Sequence, residues 1–258
     1  MKKKILIVLI VIVIFIFVGF SIWYFKYIYK YNQIAKFINE NNQDIYILGT
    51  YHGEHFNRFL NYSMQDIAMC IKNINPDIVL IESREETYRD YNVIDGPIDM
   101  ILAYSYCKQE NISIDMIDYW EVNDNTMPGT TDEKRDDIIN KNIIKKLDNN
   151  LDKKRVLIIC GDTHFREQIK RFKNQKFKEE KIKNRKELFY GEEDFKYPLI
   201  MQDIIENKID YVSNILKNDI DNKIKNNKNK EEWQENCNFL IQNLKRQLEL
   251  VKDNKLYY

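Results

Sequence analysis

The chain contains three histidines, and two of them end the same tetrapeptide form, Gly49-Thr50-Tyr51-His52 and Gly161-Asp162-Thr163-His164. With seven glycines in 258 residues, that repetition is more specific than either motif alone. Each motif leaves a short β-branched run. A glycine there lets the backbone turn sharply and approach a ligand, so the histidine three residues on points into a crevice. A third such run ends at Glu82. Two imidazoles and a carboxylate converging from different strands, His52, His164 and Glu82, suit a divalent metal ion (manganese, cobalt or zinc) with open positions, where bound water becomes a nucleophile near neutral pH. Without metal, the same residues supply a histidine general base with Glu82 orienting it or holding its charge. The residue types leave both chemistries open.

Neighbouring residues extend this set. His55 lies close to His52 and is read as a substrate contact, with a second ligand or a helix-entry residue as alternatives. Arg84, in the Glu82 loop, and Arg135, at the start of a helical stretch, each carry a guanidinium able to fork onto a carboxylate or an oxyanion. A surface ion pair is the commoner fate of an arginine like Arg135. Asp118 ends a further strand and either binds a ligand or caps the next segment of the chain. Asp162 fits a backbone turn as well as it fits chemistry.

The elements that must position these groups are legible from periodicity. Strands are expected at Ile45–Leu48, Ile78–Ile81, Ile112–Ile117 and Val156–Cys160. Between them Phe59, Met64, Ile67, Ala68 and Ile71 fall at helical spacing, as do Ile98, Ile101, Leu102 and Tyr106, and Ile138, Ile139, Ile143 and Leu147. The alternation predicts an α/β fold with a mostly parallel sheet and covering helices, in which ligands bind beyond the carboxyl ends of the strands. Pro97 is placed in the first turn of a helix. Residues 123–131 form a loop long enough to border the site. The core is placed at 40–175. From 176 to 258 the composition turns to Lys, Asn and Glu, with no strand of note and two amphipathic stretches forming a helical hairpin joined through 226–229. Its apolar stripe covers either its own domain or a partner chain.

Residues 1–30 read as a membrane anchor with its flanks. Lys2, Lys3 and Lys4 precede an uncharged run from Ile5 to Tyr24, and roughly 20 such residues span a bilayer. The aromatics and lysines after it match a membrane interface, and the three leading lysines place the amino terminus in the cytoplasm and the remainder outside. A cleaved signal peptide is the rival, with Gly19-Phe20-Ser21 as the small-x-small triplet. Lys+Arg 40 balances Asp+Glu 40 and the isoelectric point is about 6.8, so no basic field exists to collect nucleic acid. Cys70, Cys107, Cys160 and Cys237 are dispersed without a C-x-x-C pair, which disfavours a disulfide scaffold or a cysteine-rich zinc site.

Four segments together carry a family resemblance: Leu48-Gly49-Thr50-Tyr51-His52, Pro76 to Glu82, Arg135 to Asn142, and Val156 to His164. In their order and strand placement the chain resembles the TraB/Tiki superfamily, which also takes in erythromycin esterase-like and ChaN-like proteins. The resemblance covers about half the chain. It implies an α/β hydrolase with a site built from His52, Glu82 and His164 and supported by Arg135. Tiki-type members are membrane-tethered, metal-dependent proteases, and TraB-type members are linked to shutting down peptide pheromones. Esterase-type members use a histidine base without metal, and ChaN-like members bind haem. The expectation is therefore a membrane-anchored, metal-dependent peptidase acting on an extracytoplasmic peptide or protein. A metal-free esterase-like hydrolase, or a non-catalytic module for peptide or haem, is the alternative. Two departures bear on substrate class: the Asp-Arg pair of many TraB relatives reads Asp118-Tyr119, and the arginine after the glutamate comes early, as Arg84.

Overall fold

The computed structural model describes residues 2–27, 33–58, 62–123, 132–175, 177–191 and 194–257. Phe59 and most of the expected site-bordering loop, 124–131, lie outside the described residues. A six-stranded, mostly parallel sheet runs through the molecule in the order β4-β3-β5-β2-β1-β6. Its strands are β1 (Ile34–Ile38), β2 (Asp44–Thr50), β3 (Ile78–Arg84), β4 (Ser113–Asp118), β5 (Arg155–Gly161) and β6 (Lys178–Glu180). The four strands read from the sequence form its parallel half, in the order β4-β3-β5-β2. Two antiparallel edge strands, β1 and β6, extend it beyond β2.

Strand alternation divides the apolar side chains between two faces. Along β5, Val156, Ile158 and Cys160 face one layer and Leu157 and Ile159 the other. The first layer is covered by α5 (Glu133–Asn149) and α6 (Asp162–Asn174), and the second by α2 (Met64–Ile74) and α4 (Ile98–Gln109). Ser63 and Asp66 form a capping box at the start of α2, which satisfies donors that a helix end leaves open. Pro97 sits one residue earlier than expected, at the N-cap of α4. A short α3 (Glu85–Tyr91) follows β3 directly.

The C-terminal region is helical: α7 (Met201–Asp210), a π-helical turn at Tyr211–Leu216, α8 (Lys217–Lys223) and α9 (Asn227–Lys252). Asn226 caps α9 by accepting from the amides of Lys228 and Asn229, so the chain reverses just before the expected joint. Val212, Leu216, Ile220, Trp233 and Cys237 build a third apolar cluster with Val93 and Val122 of the core. The apolar N-terminal run is helical as α1 (Lys2–Tyr27). Its side chains are described at 4 and 9–23, and among the described residues no helix is long and apolar enough to cross a membrane.

Lys208 ties the C-terminal region to the core. It is 2% exposed, and its ammonium donates to the carbonyl oxygens of Asp95, at 3.0 Å, and Gly96. Burial lowers its pKa to about 8 against the opposing pull of Asp95 and Asp99. Between about 8 and the ordinary 10.5, the unfolded chain holds a proton that native Lys208 has released, so Lys208 makes stability rise with pH there. The stability difference between wild type and Lys208→Met, measured by urea unfolding, is expected to shift in favour of wild type across that window. A difference independent of pH would contradict the burial argument.

Candidate active site

Three adjacent strands deliver the candidate residues side by side. β5 lies between β3 and β2, with Thr50 level with Gly161 in the parallel register of β2 and β5. His52 occupies the turn just beyond β2, whereas α6 starts at Asp162 and carries His164 in its first turn. Glu82 lies near the end of β3 and is 4% exposed. The Gly161 amide donates to Glu82 Oε2 at 2.7 Å. A Cβ on Gly161 would overlap Nε2 of His52. Its φ of −61° is open to any residue, so close approach is what demands glycine here.

Both imidazoles are held from behind and aimed at the same carboxylate. His52 Nδ1 stands 3.0 Å from Asp99 Oδ2, and His164 Nδ1 stands 2.6 Å from Asp136 Oδ1. Their Nε2 atoms face different oxygens of Glu82, at 3.6 Å from Oε2 for His52 and 3.4 Å from Oε1 for His164. Nε2 of His164 is buried without a hydrogen-bond partner. Arg135 donates to Glu82 Oε1 at 3.1 Å and forks onto Asp118 at 2.9 and 2.8 Å. Asp132 accepts from the Arg135 amide as the N-cap of α5. That cap sets where the helix begins, so its first turn presents Arg135 to Glu82 and Asp136 to His164.

The electrostatics follow from burying several acids together. Burial alone would lower the His52 pKa, but the charge and hydrogen bond of Asp99, with Glu82 behind them, raise it to about 9. Asp99 is fully buried, which favours its neutral form, yet His52 and His55 hold its pKa well below the usual carboxylate value. Asp118 is pushed up by burial and by the charge of Glu82, against the pull of Arg135. Glu82, Asp99, Asp118 and Asp136 thus stand against the cations Arg135 and His52, with acid in excess.

His52, Glu82, His164, Arg135 and Asp118 are brought together, while His55, expected as a substrate contact, and Arg84, expected to fork onto a carboxylate or an oxyanion of the substrate, lie elsewhere. His55 is fully buried behind His52, its Nε2 3.3 Å from Asp99 Oδ2 and its ring 4.9 Å from that of Tyr62. The turn after β2 folds both imidazoles onto one carboxylate, so His55 does not face a substrate. Arg84 is also turned away. Its guanidinium binds Asp95, the Trp120 carbonyl oxygen and the Tyr211 hydroxyl, and lies 3.5 Å over the Trp120 ring. Residues two apart on a regular strand share a face, but the β3–β4 register shifts between Ile81 and Arg84, and such an irregularity re-aims side chains. Asp162 pairs with Arg166 one helical turn on, at 2.7 Å.

Sequence reasoning missed Asp99 and Asp136. Asp136 adjoins Arg135 and was open to notice. Asp99 sits in a first helical turn, where an acid ordinarily answers the helix dipole, and nothing in the sequence links it to His52.

No family model, curated protein or solved structure matches the chain. Among the described residues no group of three His, Cys, Asp or Glu side chains is arranged to hold a metal ion. The buried Cys160 thiol is pushed far up by burial, which disfavours it as a thiolate ligand. In chemical terms the site combines two fixed imidazoles, a shared carboxylate and a guanidinium, reached by solvent through His52, whose side chain is 34% exposed against 3% for His164.

Gly161→Ala tests the packing directly. The variant is expected to keep its far-ultraviolet circular dichroism while His52 is displaced from Glu82. In a histidine NMR titration of metal-free protein, the His52 pKa then falls from about 9 by the share that Glu82 contributes, while Asp99 still holds it above the ordinary 6.5. An unchanged His52 titration in a folded variant would show that the glycine is dispensable.

Proposed function

We propose that the chain is a membrane-anchored hydrolase that cleaves an extracytoplasmic peptide or protein with the help of a divalent metal ion held by His52, Glu82 and His164. The observation that carries this reading is the pair of carboxylate-backed imidazoles aimed at the two oxygens of Glu82. Metal-binding histidines characteristically engage a carboxylate, carbonyl or water through the nitrogen that does not bind the metal. Two ligand atoms on one tetrahedral ion at about 2.1 Å are roughly 3.4 Å apart, close to the two spacings from Nε2 to Glu82. The unpartnered Nε2 of His164 and the excess of buried acid also fit a cation. Resemblance to the TraB/Tiki superfamily points the same way.

The metal would supply Lewis acidity and a water of lowered pKa. The chain's own groups do the rest. Asp99 and Asp136 fix the orientation of His52 and His164 through Nδ1. Arg135, whose pKa is lowered by burial but raised further by Asp118 and Glu82, stays charged and lies where it can hold a carbonyl oxygen as that oxygen gains negative charge. Substrate approaches from the side of His52, the more exposed imidazole. The helices after β6 cover the core and restrict that approach.

Anchoring is supported by α1. The uncharged run from Ile5 to Tyr24, of roughly the length that spans a bilayer, carries this part of the reading. Apolar side chains along it are bare, with Phe15 74% and Phe17 71% exposed. Lys2, Lys3 and Lys4 favour a cytoplasmic amino terminus.

One observation weighs against a bound cation. Arg135 lies on Glu82 Oε1 while Asp99 and Glu82 hold His52 protonated near neutral pH, so positive charge already flanks the carboxylate.

Metal-dependent and metal-free hydrolysis separate on the full-length protein in detergent, loaded with manganese, cobalt or zinc and desalted. About one equivalent of metal is expected in wild type and none in His52→Ala or His164→Ala, with peptide-library turnover lost alongside. Arg135→Ala is expected to keep the metal and lose roughly 10²–10³ in kcat. Turnover without retained metal would select the metal-free chemistry, and no turnover with any metal would remove the hydrolase.

A further inference from the structure

Arg135 borders a second space. It lines a cavity of about 380 Å³ walled mainly by Trp120, Tyr211, Val212, Leu216, Trp233 and Leu240. That volume is at the lower end of the range for small-ligand pockets. Trp120 follows β4, whereas Trp233 and Leu240 come from α9, so the cavity exists only because the C-terminal helices lie against the core. Tyr211, Val212 and Leu216 belong to the π-helical turn, a rare conformation that is frequent at functional sites.

The wall also has charged groups, and apart from Lys134 they are engaged within the protein. Asp95 accepts from Arg84, Asp132 caps α5, and Glu121 accepts from the Tyr119 hydroxyl. Lys208 donates to two backbone carbonyls, and Arg135 is bound to Glu82 and Asp118. With five of the six charged side chains engaged and the rest of the wall largely apolar, a neutral occupant fits best, and an aspartate probe tests whether Lys134 draws an acidic one instead. The broadest apolar surfaces are the rings of Trp120, which carries Arg84 on one face, and Trp233, stacked with centroids 6.2 Å apart and 25° between planes. Phe239, 65% exposed, stands at the rim. Such walls favour an aromatic occupant.

We propose that this cavity is a substrate subsite that takes a neutral aromatic side chain of the peptide, next to the bond presented to Glu82 and Arg135. The proposal rests on the peptidase reading, because it supposes that a peptide carbonyl meets Arg135. An extended chain advances about 3.5 Å per residue, so a neighbouring side chain reaches across the same guanidinium.

The test uses the full-length protein in detergent and three probes: N-acetylphenylalanine amide, N-acetylglycine amide and N-acetylaspartate amide. Saturation-transfer NMR is expected to show saturable binding of the phenylalanine probe at least tenfold tighter than the other two. Filling the cavity with Val212→Trp abolishes it. Asn243→Trp, at a half-exposed position on the α9 wall, does the same and carries the comparison if Val212→Trp fails to fold. Equal responses to the three probes, or undiminished phenylalanine binding in a folded filling variant, would overturn the subsite. In a peptide library, an aromatic residue at one fixed position beside the cut is the supporting result. Cleavage without that preference overturns the subsite and leaves the peptidase standing. Aromatic binding that is blocked by the filling variants, with no cleavage of any peptide, supports the pocket and removes the peptidase.

Discussion

A carboxylate that is 4% exposed, as Glu82 is, is stable in its ionised form only when donors and positive charge replace the water it has lost. The rest of the site answers that requirement. The Gly161 amide approaches one oxygen and Arg135 the other, and the two histidines stand behind them. Each comes from a different element: the end of β5, the first turn of α5, the turn after β2 and the first turn of α6. A shift in any of these exposes or unpairs the same carboxylate, so the geometry of the site and the stability of the sheet edge are linked. Asp118 shows the strain of this arrangement, since burial and the nearby charge of Glu82 push its pKa up despite Arg135.

Strand order makes this convergence attainable. With β5 between β3 and β2, Glu82 and the two glycine motifs leave the sheet at neighbouring positions, and β4 adds Asp118 on the outer side. The apolar layers on both faces hold these strands, while the cluster around Trp233 and Leu216 sets the C-terminal helices against the loop after β4. Lys208 reinforces that contact at Asp95 and Gly96. The segment after β6 is thus part of the surroundings of Arg135.

Much of the parallel half was legible from the sequence because buried strands read as unbroken β-branched runs. The sheet edge was not. Ile34-Ala35-Lys36-Phe37-Ile38 falls between the anchor read at 1–30 and the core read from 40, and is assigned to neither, although it forms β1. Lys178-Glu179-Glu180 has no strand-like composition at all. It pairs through its backbone and through Glu180 to Lys36 at 3.3 Å, neither of which periodicity records. Within the site, the two histidines and Glu82 were visible because a repeated motif and a strand end mark them. The acids behind the histidines were not, since a first-turn Asp99 or Asp136 carries its ordinary meaning until the fold places an imidazole against it. Arg84 and His55 show the converse: closeness in sequence to Glu82 and His52 suggested shared work, and a register shift and a tight turn sent them elsewhere.

The central claim is that His52 and His164 meet Glu82 through their Nε2 atoms so as to share a divalent ion. X-ray absorption at the cobalt edge of the cobalt-loaded full-length protein tests it most directly. Two imidazole nitrogens and carboxylate oxygen at about 2.1 Å are expected in wild type, with no imidazole-bound cobalt left in His52→Ala or His164→Ala. A cobalt shell without imidazole, or one unchanged by both substitutions, would contradict the account.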